Sequence, residues 1–231
     1  MPRFFVTGTD TGVGKTRIAT ALCLAFAAAG LRVAAMKPVA AGCARTPEGL
    51  RNDDAAALLE CMTVQASYAE VNPYAFEPAI APHIAALEAG RCIDLDVLDR
   101  CYERLRLQSD VSIVEGAGGW LAPLDATRTF ADLAAHWELD VILVVGLRLG
   151  CLNHALLTAQ AIERHGLRLR GWVGNSPAPG FERREENIRT LKMRLAAPCL
   201  ATFPYAPAST ARDASKTLLP RLPELLRSAG P

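Results

Sequence analysis

The stretch that decides the fold of this 231-residue chain is Gly8-Thr9-Asp10-Thr11-Gly12-Val13-Gly14-Lys15-Thr16, a glycine-rich loop. It follows Arg3–Thr7, a short run of aromatic and β-branched residues that predicts a strand. It leads into Thr16–Ala29, whose length and alanine and leucine content predict a helix that ends at Gly30. Together these segments predict a strand, a tight loop and a helix at the beginning of the chain.

The composition of the loop indicates that it binds phosphate groups. Glycines let backbone N–H groups surround phosphate oxygens, and the amino-terminal end of the following helix adds a partial positive charge. Lys15 can reach the β- and γ-phosphates of a nucleotide, and the Thr16 hydroxyl suits a Mg²⁺ ligand. The spacing from Gly8 to Gly14 is six positions, one more than in the common motif. The alternative, a glycine-rich turn with a chance Lys-Thr pair, is disfavoured by the strand and helix on either side.

Predicted strands and helices alternate along the rest of the chain. This alternation favours one α/β domain over residues 1–231, with a mostly parallel central sheet and helices on both faces. The most apolar run, Val141–Gly146, is expected to be a central strand, whereas residues 63–93 are irregular. The other predicted strands are Leu31–Met36, Val111–Glu115, Gly171–Gly174 and Leu200–Phe203. The other predicted helices are Asp53–Cys61, Leu95–Leu107, Phe130–Trp137, His154–His165, Arg183–Leu195 and 214–228, the last of them broken by Pro220 and Pro223.

Composition and charge exclude several classes of protein. With 51% apolar and 21% charged residues, the chain has the balance of a globular protein. A formal net charge of +1 gives no electrostatic reason to expect nucleic acid or a membrane as a partner. The seven cysteines are dispersed and form no C-x-x-C pair, which favours reduced thiols. Because no signal peptide is recognisable, we expect a cytoplasmic protein.

Charged side chains are predicted at the carboxyl ends of strands near the loop. Glu115 ends an apolar strand and precedes a glycine-rich turn, and Lys37 follows the second predicted strand. Because α/β sheets bind ligands at this edge, Glu115 is a candidate Mg²⁺ ligand and Lys37 a candidate phosphate contact. The alternative for Lys37 is a surface lysine with a buried stem. Asp54 is a further candidate ligand, but an acidic residue in a first helical turn also stabilises the helix.

Several motifs resemble those of the dethiobiotin synthetase family. They run from the first strand to about residue 205, and the long loop with its six-position glycine spacing is specific to this group. The resemblance implies a P-loop NTPase-like fold. The matching stretches are Phe5–Thr11, Val13–Thr16, Lys37–Ala40, Thr46–Asn52, Val114–Trp120, Val144–Gly146, Leu149–Ala155 and Gly171–Val173.

The resemblance also implies an ATP- and Mg²⁺-dependent ring closure in biotin biosynthesis. The substrate 7,8-diaminononanoate takes up CO₂ on one amine as a carbamate, and ATP phosphorylates the carbamate to a carbamic-phosphoric anhydride. The second amine then closes a cyclic urea, with release of ADP and phosphate. Because these species are anionic, the site needs cations and N–H donors more than a nucleophile. Lys15 and Lys37 are the implied catalytic residues.

Position-for-position matching to the family implies the other site residues. Asn175 resembles the position that reads the adenine edge, and residues 204–206 resemble the segment that lines the purine. The implied Mg²⁺ ligands are Thr16, Asp54 and Glu115. The implied nucleotide contacts are Gly12, Val13, Gly14, Lys15, Thr16, Asp54, Glu115, Gly116, Ala117, Gly118, Asn175, Ser176, Pro204, Tyr205 and Ala206. The implied diamine contacts are Thr11, Lys37, Ala41 and Gly118 within one subunit and Gly150, Cys151, Leu152 and Asn153 from its partner in a homodimer.

Some positions depart from the family pattern or have another interpretation. Ala41 stands where the family often has a serine, so a substrate contact there is restricted to the backbone. Ala211 and Arg212 occupy a stretch where an acidic ribose contact is expected; either Asp213 serves, or the contact is absent. Asn153 opens a predicted helix, and its alternative role is to cap that helix.

The alternative class is a nucleotide-driven switch of the partition or cell-division ATPase kind, which shares this fold. Those proteins place a signature lysine in the phosphate loop, where this chain has Asp10. Some also carry a basic amphipathic helix at the carboxyl terminus for membranes, and here Pro220 and Pro223 interrupt that segment. Both observations favour the enzyme over the switch.

Overall fold

The structure, a computed structural model, describes residues 1–226 of the chain. In chain order the strands are β1 (Arg3–Gly8), β2 (Val33–Met36), β3 (Val39–Ala41), β4 (Ala44–Thr46), β5 (Gly49–Arg51), β6 (Tyr74–Phe76), β7 (Val111–Glu115), β8 (Asp140–Gly146), β9 (Leu169–Asn175) and β10 (Cys199–Phe203). The α-helices are α1 (Lys15–Ala28), α2 (Asp53–Cys61), α3 (Tyr68–Val71), α4 (Pro82–Glu88), α5 (Leu95–Leu107), α6 (Phe130–His136), α7 (Cys151–Arg164), α8 (Arg184–Arg194), α9 (Ala211–Leu218) and α10 (Leu222–Leu226).

The main sheet has six strands in the order β10-β9-β8-β1-β7-β2. Every neighbouring pair in it is parallel, as the alternation of strands and helices predicts. The predicted central position of the most apolar run is confirmed, because β8 and β1 are the two middle strands. Among residues 1–226, no helix is both long enough and apolar enough to cross a bilayer.

Helices cover both faces of the sheet, as predicted. Successive residues of β1 point to opposite faces, so Phe4 packs with α1 and α9 while Phe5 packs with α5 and α6. On the β8 side, Leu143 and Val145 pack with α7 and α8. These buried layers fix the position of the carboxyl edge of the sheet, where β1, β2, β7, β8 and β9 end.

Most predicted boundaries agree with the structure within two residues, but the start of α7 is a correction. The predicted helix His154–His165 begins one turn earlier, at Cys151. Its N-cap is Gly150, which has a φ of +92° and therefore supplies the turn that starts the helix. Asn153 lies inside the first turn, so the cap interpretation of Asn153 is wrong.

The structure adds elements that the sequence pattern does not indicate. Within 38–93, β3 pairs with β6 in parallel, β4 and β5 form an antiparallel hairpin, and two short helices are present. Three-residue strands are too short to show a hydrophobic period, which is why the sequence predicts no strand at 39–51 and an irregular segment at 63–93.

The carboxyl-terminal helix is interrupted at Pro220, as predicted, but it begins three residues earlier than predicted. α9 begins at Ala211 because Thr210 and Asp213 form a capping box, and a 3₁₀ turn at Leu219–Arg221 leads into α10. The last two residues of the predicted helix 214–228 lie outside the described residues.

Candidate active site

The glycine-rich loop connects the central strand β1 to α1. Gly12 and Gly14 have φ values of +72° and +96°, conformations that residues with a Cβ rarely adopt. The loop is held to β8: Thr9 N–H donates to the Val144 carbonyl at 3.0 Å, and Gly146 N–H donates to Thr9 Oγ1 at 3.1 Å. The positive φ of Gly14 places Lys15 at the first position of the helix, where backbone N–H groups are unpaired.

Lys15 is buried beside the loop and donates to the Asp10 carbonyl at 3.1 Å. Burial and the positive charge of Lys37 lower the pKa of Lys15 to about 8. An anionic phosphate bound by the loop would favour the charged form of this lysine. Lys15 is therefore poised to gain its strongest partner when a nucleotide binds.

Glu115 is the anionic centre of the site. It is the last residue of β7, it is fully buried, and its strand pairs with β1 at Val6. Its Oε1 accepts from Thr16 Oγ1 at 2.8 Å and from Lys37 Nζ at 2.7 Å. Its Oε2 has no hydrogen-bond partner within residues 1–226. A buried carboxylate oxygen without a partner is costly, which points to a cationic ligand at this position.

Lys37 is buried between two carboxylates. Its Nζ also donates to Asp54 Oδ2 at 3.1 Å and to the Gly116 carbonyl at 3.0 Å. Burial alone would lower the pKa of Lys37, but Glu115 and Asp54 outweigh it and raise that pKa. Lys37 is 3% exposed, so the surface-lysine alternative does not describe it. It is a fixed cation at the floor of the cleft.

Asp54 lies in the first turn of α2 and faces the same cation. Burial raises the pKa of Asp54, but the charge of Lys37 and nearby hydrogen bonds lower it by more. The carboxylate is therefore ionised at neutral pH. Together Thr16, Asp54 and Glu115 offer one hydroxyl and two carboxylates, the hard oxygen donors that Mg²⁺ prefers. These donors and the unpartnered oxygen of Glu115 fit a magnesium ion.

The charged residues surround a cleft of about 760 Å³ at the carboxyl edge of the sheet. Of the predicted nucleotide contacts in the phosphate loop and after β7, Val13 and Gly116 do not line this cleft. The Val13 side chain is buried, and the Gly116 carbonyl accepts a hydrogen bond from Lys37. The predicted residues that line it are Thr11, Gly12, Gly14, Lys15, Thr16, Lys37, Ala41, Asp54, Glu115, Ala117 and Gly118.

The residues predicted to contact the base lie on the opposite side of the loop. Asn175 ends β9, is 5% exposed, and its Nδ2 donates to the Val13 carbonyl at 2.8 Å. Ser176 is buried, and its hydroxyl accepts from Arg184 at 3.1 Å. Pro204 and Tyr205 follow β10 and are exposed, and Ala206 is partly buried. The structure therefore brings Asn175 to the loop, and none of these five residues lines the charged cleft.

The segment Gly150–Asn153 is absent from the lining of the cleft of its own chain. It opens α7, with Cys151 buried and Asn153 exposed. The preceding loop reaches the phosphate loop through an ion pair between Arg148 and Asp10. Asp213, the candidate ribose contact, uses its carboxylate to cap α9 by accepting from Thr210 Oγ1 at 2.8 Å.

A polar network that sequence reasoning missed supports Lys37 and Asp54. Asn72 is buried and donates to the Lys37 carbonyl at 2.7 Å, and its Oδ1 accepts from Tyr68 Oη at 3.1 Å. Tyr68 Oη in turn accepts from Asn52 N–H at 2.7 Å, and Asn52 caps the helix that carries Asp54. The network therefore links the backbone of the lysine to the helix of the carboxylate. An asparagine directly before a helix is a recognisable cap signal, but the contacts of Asn72 with Lys37 and of Tyr68 with Asn52 join separate parts of the chain and have no local signal.

The fold and this site define a P-loop NTPase: a parallel sheet whose central strand leads through a glycine-rich loop into a helix, with Lys15 and a strand-end carboxylate at the loop. A sequence profile described as an AAA domain matches residues 2–213. The ATP-dependent dethiobiotin synthetase BioD of Xanthomonas oryzae pv. oryzae (strain PXO99A) is 50% identical over 95% of this chain and 99% of its own length. That of Pseudomonas paraeruginosa (strain DSM 24068 / PA7) is 55% identical over 88% of this chain and 90% of its own. The chain belongs to the dethiobiotin synthetase family, the ATP-dependent ligases of biotin biosynthesis.

Solved structures of cell-division proteins share the architecture. A MinC:MinD complex from Aquifex aeolicus has a TM-score of 0.61 at 16% identity and covers 100% of this chain and 98% of that chain. The cell-division ATPase MinD of Pyrococcus furiosus has a TM-score of 0.56 at 18% identity and covers 97% and 100%. At such identities the likeness shows the fold alone. It confirms the P-loop NTPase-like architecture.

We predict that Lys37→Gln lowers kcat by roughly 10²–10³-fold, because it removes a fixed positive charge from the cleft. The amide can still donate to Glu115, so the variant should fold, which a thermal melt checks. Affinity for ADP, measured by calorimetry, should stay within a few-fold of wild type. Turnover near the wild-type rate would show that the charge of Lys37 is not used in the reaction.

Proposed function

We propose that the protein forms the cyclic urea of dethiobiotin from 7,8-diaminononanoate and CO₂, with conversion of ATP to ADP and phosphate. The observation that carries the proposal is the buried lysine, Lys37, held between two carboxylates at the floor of the phosphate-loop cleft. Relatives named dethiobiotin synthetase match nearly the whole chain at 50–55% identity and support the choice of substrate.

The proposed reaction has three steps: formation of a carbamate, its phosphorylation by ATP, and closure of the ring. One amine of the diamine attacks CO₂ and loses a proton, which forms a carbamate. A carbamate oxygen attacks the γ-phosphorus, the bond to the ADP oxygen breaks, and a carbamic-phosphoric anhydride results. The second amine attacks the carbonyl carbon of the anhydride, phosphate leaves, and the nitrogen loses a proton as the ring closes.

The residues of the cleft serve this sequence by positioning and by charge. Lys15 and the backbone N–H groups of the loop hold the phosphates, and Lys37 stabilises the negative charge that develops on the transferred group. Thr16, Asp54 and Glu115 would hold Mg²⁺, which when bound neutralises part of the phosphate charge. The fixed charges are already in place before the substrates arrive, so little reorganisation accompanies the reaction.

The remaining contacts are assigned by position. We place the diamine against Thr11, Gly118 and the backbone of Ala41, which line the cleft beside Lys37. The Ala41 carbonyl faces Asn52 Nδ2 at 3.5 Å, a long contact that leaves it able to accept from an amine. The nucleotide base is placed near Asn175 and Ser176, with Pro204, Tyr205 and Ala206 along the purine.

We also propose a homodimer in which the carboxylate of the substrate binds the partner subunit. The carboxylate is at the far end of a nine-carbon chain from the two amines, so it lies outside reach of the phosphate loop. At the amino-terminal end of α7, outside the lining of its own cleft, the Cys151 N–H donates to the Arg148 carbonyl, and the N–H groups of Leu152 and Asn153 lie in the first turn, where a helix has no internal acceptors. This arrangement fits an anion carried by a neighbouring subunit.

The direct test of the proposed function is a product assay with ATP, Mg²⁺, bicarbonate and the diamine. ADP release should require both the diamine and CO₂, and mass spectrometry should detect a product with the mass of dethiobiotin. An ATPase switch would instead release ADP without the diamine. Equal ADP release with and without the diamine would therefore contradict the proposal.

We predict that Asp54→Ala and Glu115→Gln each raise the Mg²⁺ concentration needed for half-maximal rate by at least about tenfold, since each removes a proposed anionic ligand. Glu115→Gln keeps an acceptor for Lys37 and so protects the buried contact. Asp53→Ala is the matched control, because Asp53 is the exposed neighbour in the same helical turn. If Asp54→Ala and Asp53→Ala give the same Mg²⁺ titration as wild type, Asp54 serves only the helix.

We predict that mixing two weak variants, Asn153→Asp and Lys37→Gln, restores activity. A shared site gives each mixed dimer one intact site, because one chain supplies Lys37 and the other supplies Asn153. Differently tagged chains allow the mixed dimer to be purified before its rate is measured. Mixed dimers that form but regain no activity would place the whole site within one chain.

A further inference from the structure

Arg17 connects the phosphate loop to the predicted base-binding residues. It is the third residue of α1, and its Nη1 donates to Asn175 Oδ1 at 3.0 Å. Its Nη2 donates to Ser209 Oγ at 2.8 Å, and its guanidinium lies 5.0 Å from the centre of the Phe203 ring. One arginine therefore contacts the end of β9, the end of β10 and the segment that follows β10.

These contacts fix which way the Asn175 amide faces. The oxygen of the amide accepts from Arg17, and its nitrogen donates to the Val13 carbonyl at 2.8 Å. A flipped amide would place N–H groups against the N–H groups of Arg17 and an oxygen against the Val13 carbonyl. Both contacts would become repulsive, so the observed orientation is strongly favoured.

A fixed amide orientation bears directly on which purine can bind. After the bonds to Arg17 and Val13, Asn175 retains one lone pair on its oxygen and one N–H. This pair matches the N6 amino donor and the N7 acceptor of adenine. Guanine presents O6 and N7, which are both acceptors, and the oxygen of the fixed amide would oppose the O6 atom.

We propose that Arg17 is a specificity-determining residue of this enzyme, which selects adenine over guanine nucleotides by locking the Asn175 amide. Arg17 acts through Asn175 and is a positioning residue. The proposal rests on the proposed binding of the base at Asn175. Nothing in the sequence motif requires an arginine here, since the phosphate-loop pattern ends at Thr16.

The contact with Ser209 has a separable role. It holds the segment after β10, in which Ser209 N–H donates to the Ala206 carbonyl at 2.9 Å. Removing this hydroxyl leaves the bond between Arg17 and Asn175 in place. Ser209→Ala is therefore the matched control for effects on the segment rather than on the amide.

The experiment measures the dissociation constants of non-hydrolysable ATP and GTP analogues by calorimetry. We expect Arg17→Met, which keeps an unbranched apolar stem and removes the guanidinium donors, to reduce the preference for the ATP analogue by about tenfold, in line with the value of a bidentate base contact. Ser209→Ala should keep the wild-type preference. Arg17→Lys retains a cationic donor for Asn175 and should restore most of the preference. Arg17→Ala replaces Arg17→Met if thermal melting shows that the latter does not fold.

Asn175→Ala separates failure of this proposal from failure of the proposed base site. If Asn175→Ala loses the preference and Arg17→Met keeps it, the amide is oriented without Arg17 and the proposal is overturned. If both variants keep the preference, the base is read elsewhere, and the assignment of Asn175 itself is wrong. A loss with Arg17→Met that Arg17→Lys restores and Ser209→Ala does not reproduce supports the proposal.

Discussion

The buried ion pair between Glu115 and Lys37 is the interaction on which the site depends. Glu115 is fully buried at the end of β7, an interior strand of the sheet, where a carboxylate is stable only with partners. The lysine at 2.7 Å and the Thr16 hydroxyl at 2.8 Å supply them. Glu115 ends β7, Lys37 follows β2, and Thr16 follows the phosphate loop after β1, so their contact requires β1, β7 and β2 to be neighbours in the sheet. Within residues 1–226, loss of the Lys37 charge would leave the buried Glu115 carboxylate without a counter-ion, and loss of the Glu115 charge would leave Lys37 with Asp54 as its one anionic partner, so the pair couples the fold to the chemistry.

The two lysines of the cleft are held in different electrostatic states. Burial and the charge of Lys37 lower the pKa of Lys15 to about 8, whereas the two carboxylates raise the pKa of Lys37 despite its burial. The positive charge of Lys37 is therefore already compensated by two carboxylates. The positive charge of Lys15 would be stabilised further by an anionic ligand. In the proposed reaction, Lys37 stabilises the charge that develops on the transferred group, and Lys15 binds the phosphates of the nucleotide.

The order of strands separates two tasks on either side of the loop. On one side β7 ends in Glu115 and Lys37 directly follows β2, while on the other side β8 and β9 end in Gly146 and Asn175. The loop is bonded to both sides, through Thr16 to Glu115 and through the Val13 carbonyl to Asn175. A nucleotide in the proposed orientation would lie across the loop, with its phosphates at the charged cleft and its base toward β9.

The sequence by itself determined the alternation of strands and helices, the phosphate loop and the candidate charges at strand ends. These features follow from local composition and from the rule that parallel strands end at one edge of a sheet. Only the tertiary structure decided that Asn72 and Tyr68 support Lys37, that Arg17 orients Asn175, and that the region 38–93 forms small sheets. Each of these depends on hydrogen bonds between distant residues or on strands too short to have a period. Local pattern carries no information about such contacts, because they form only when packing brings separate segments together.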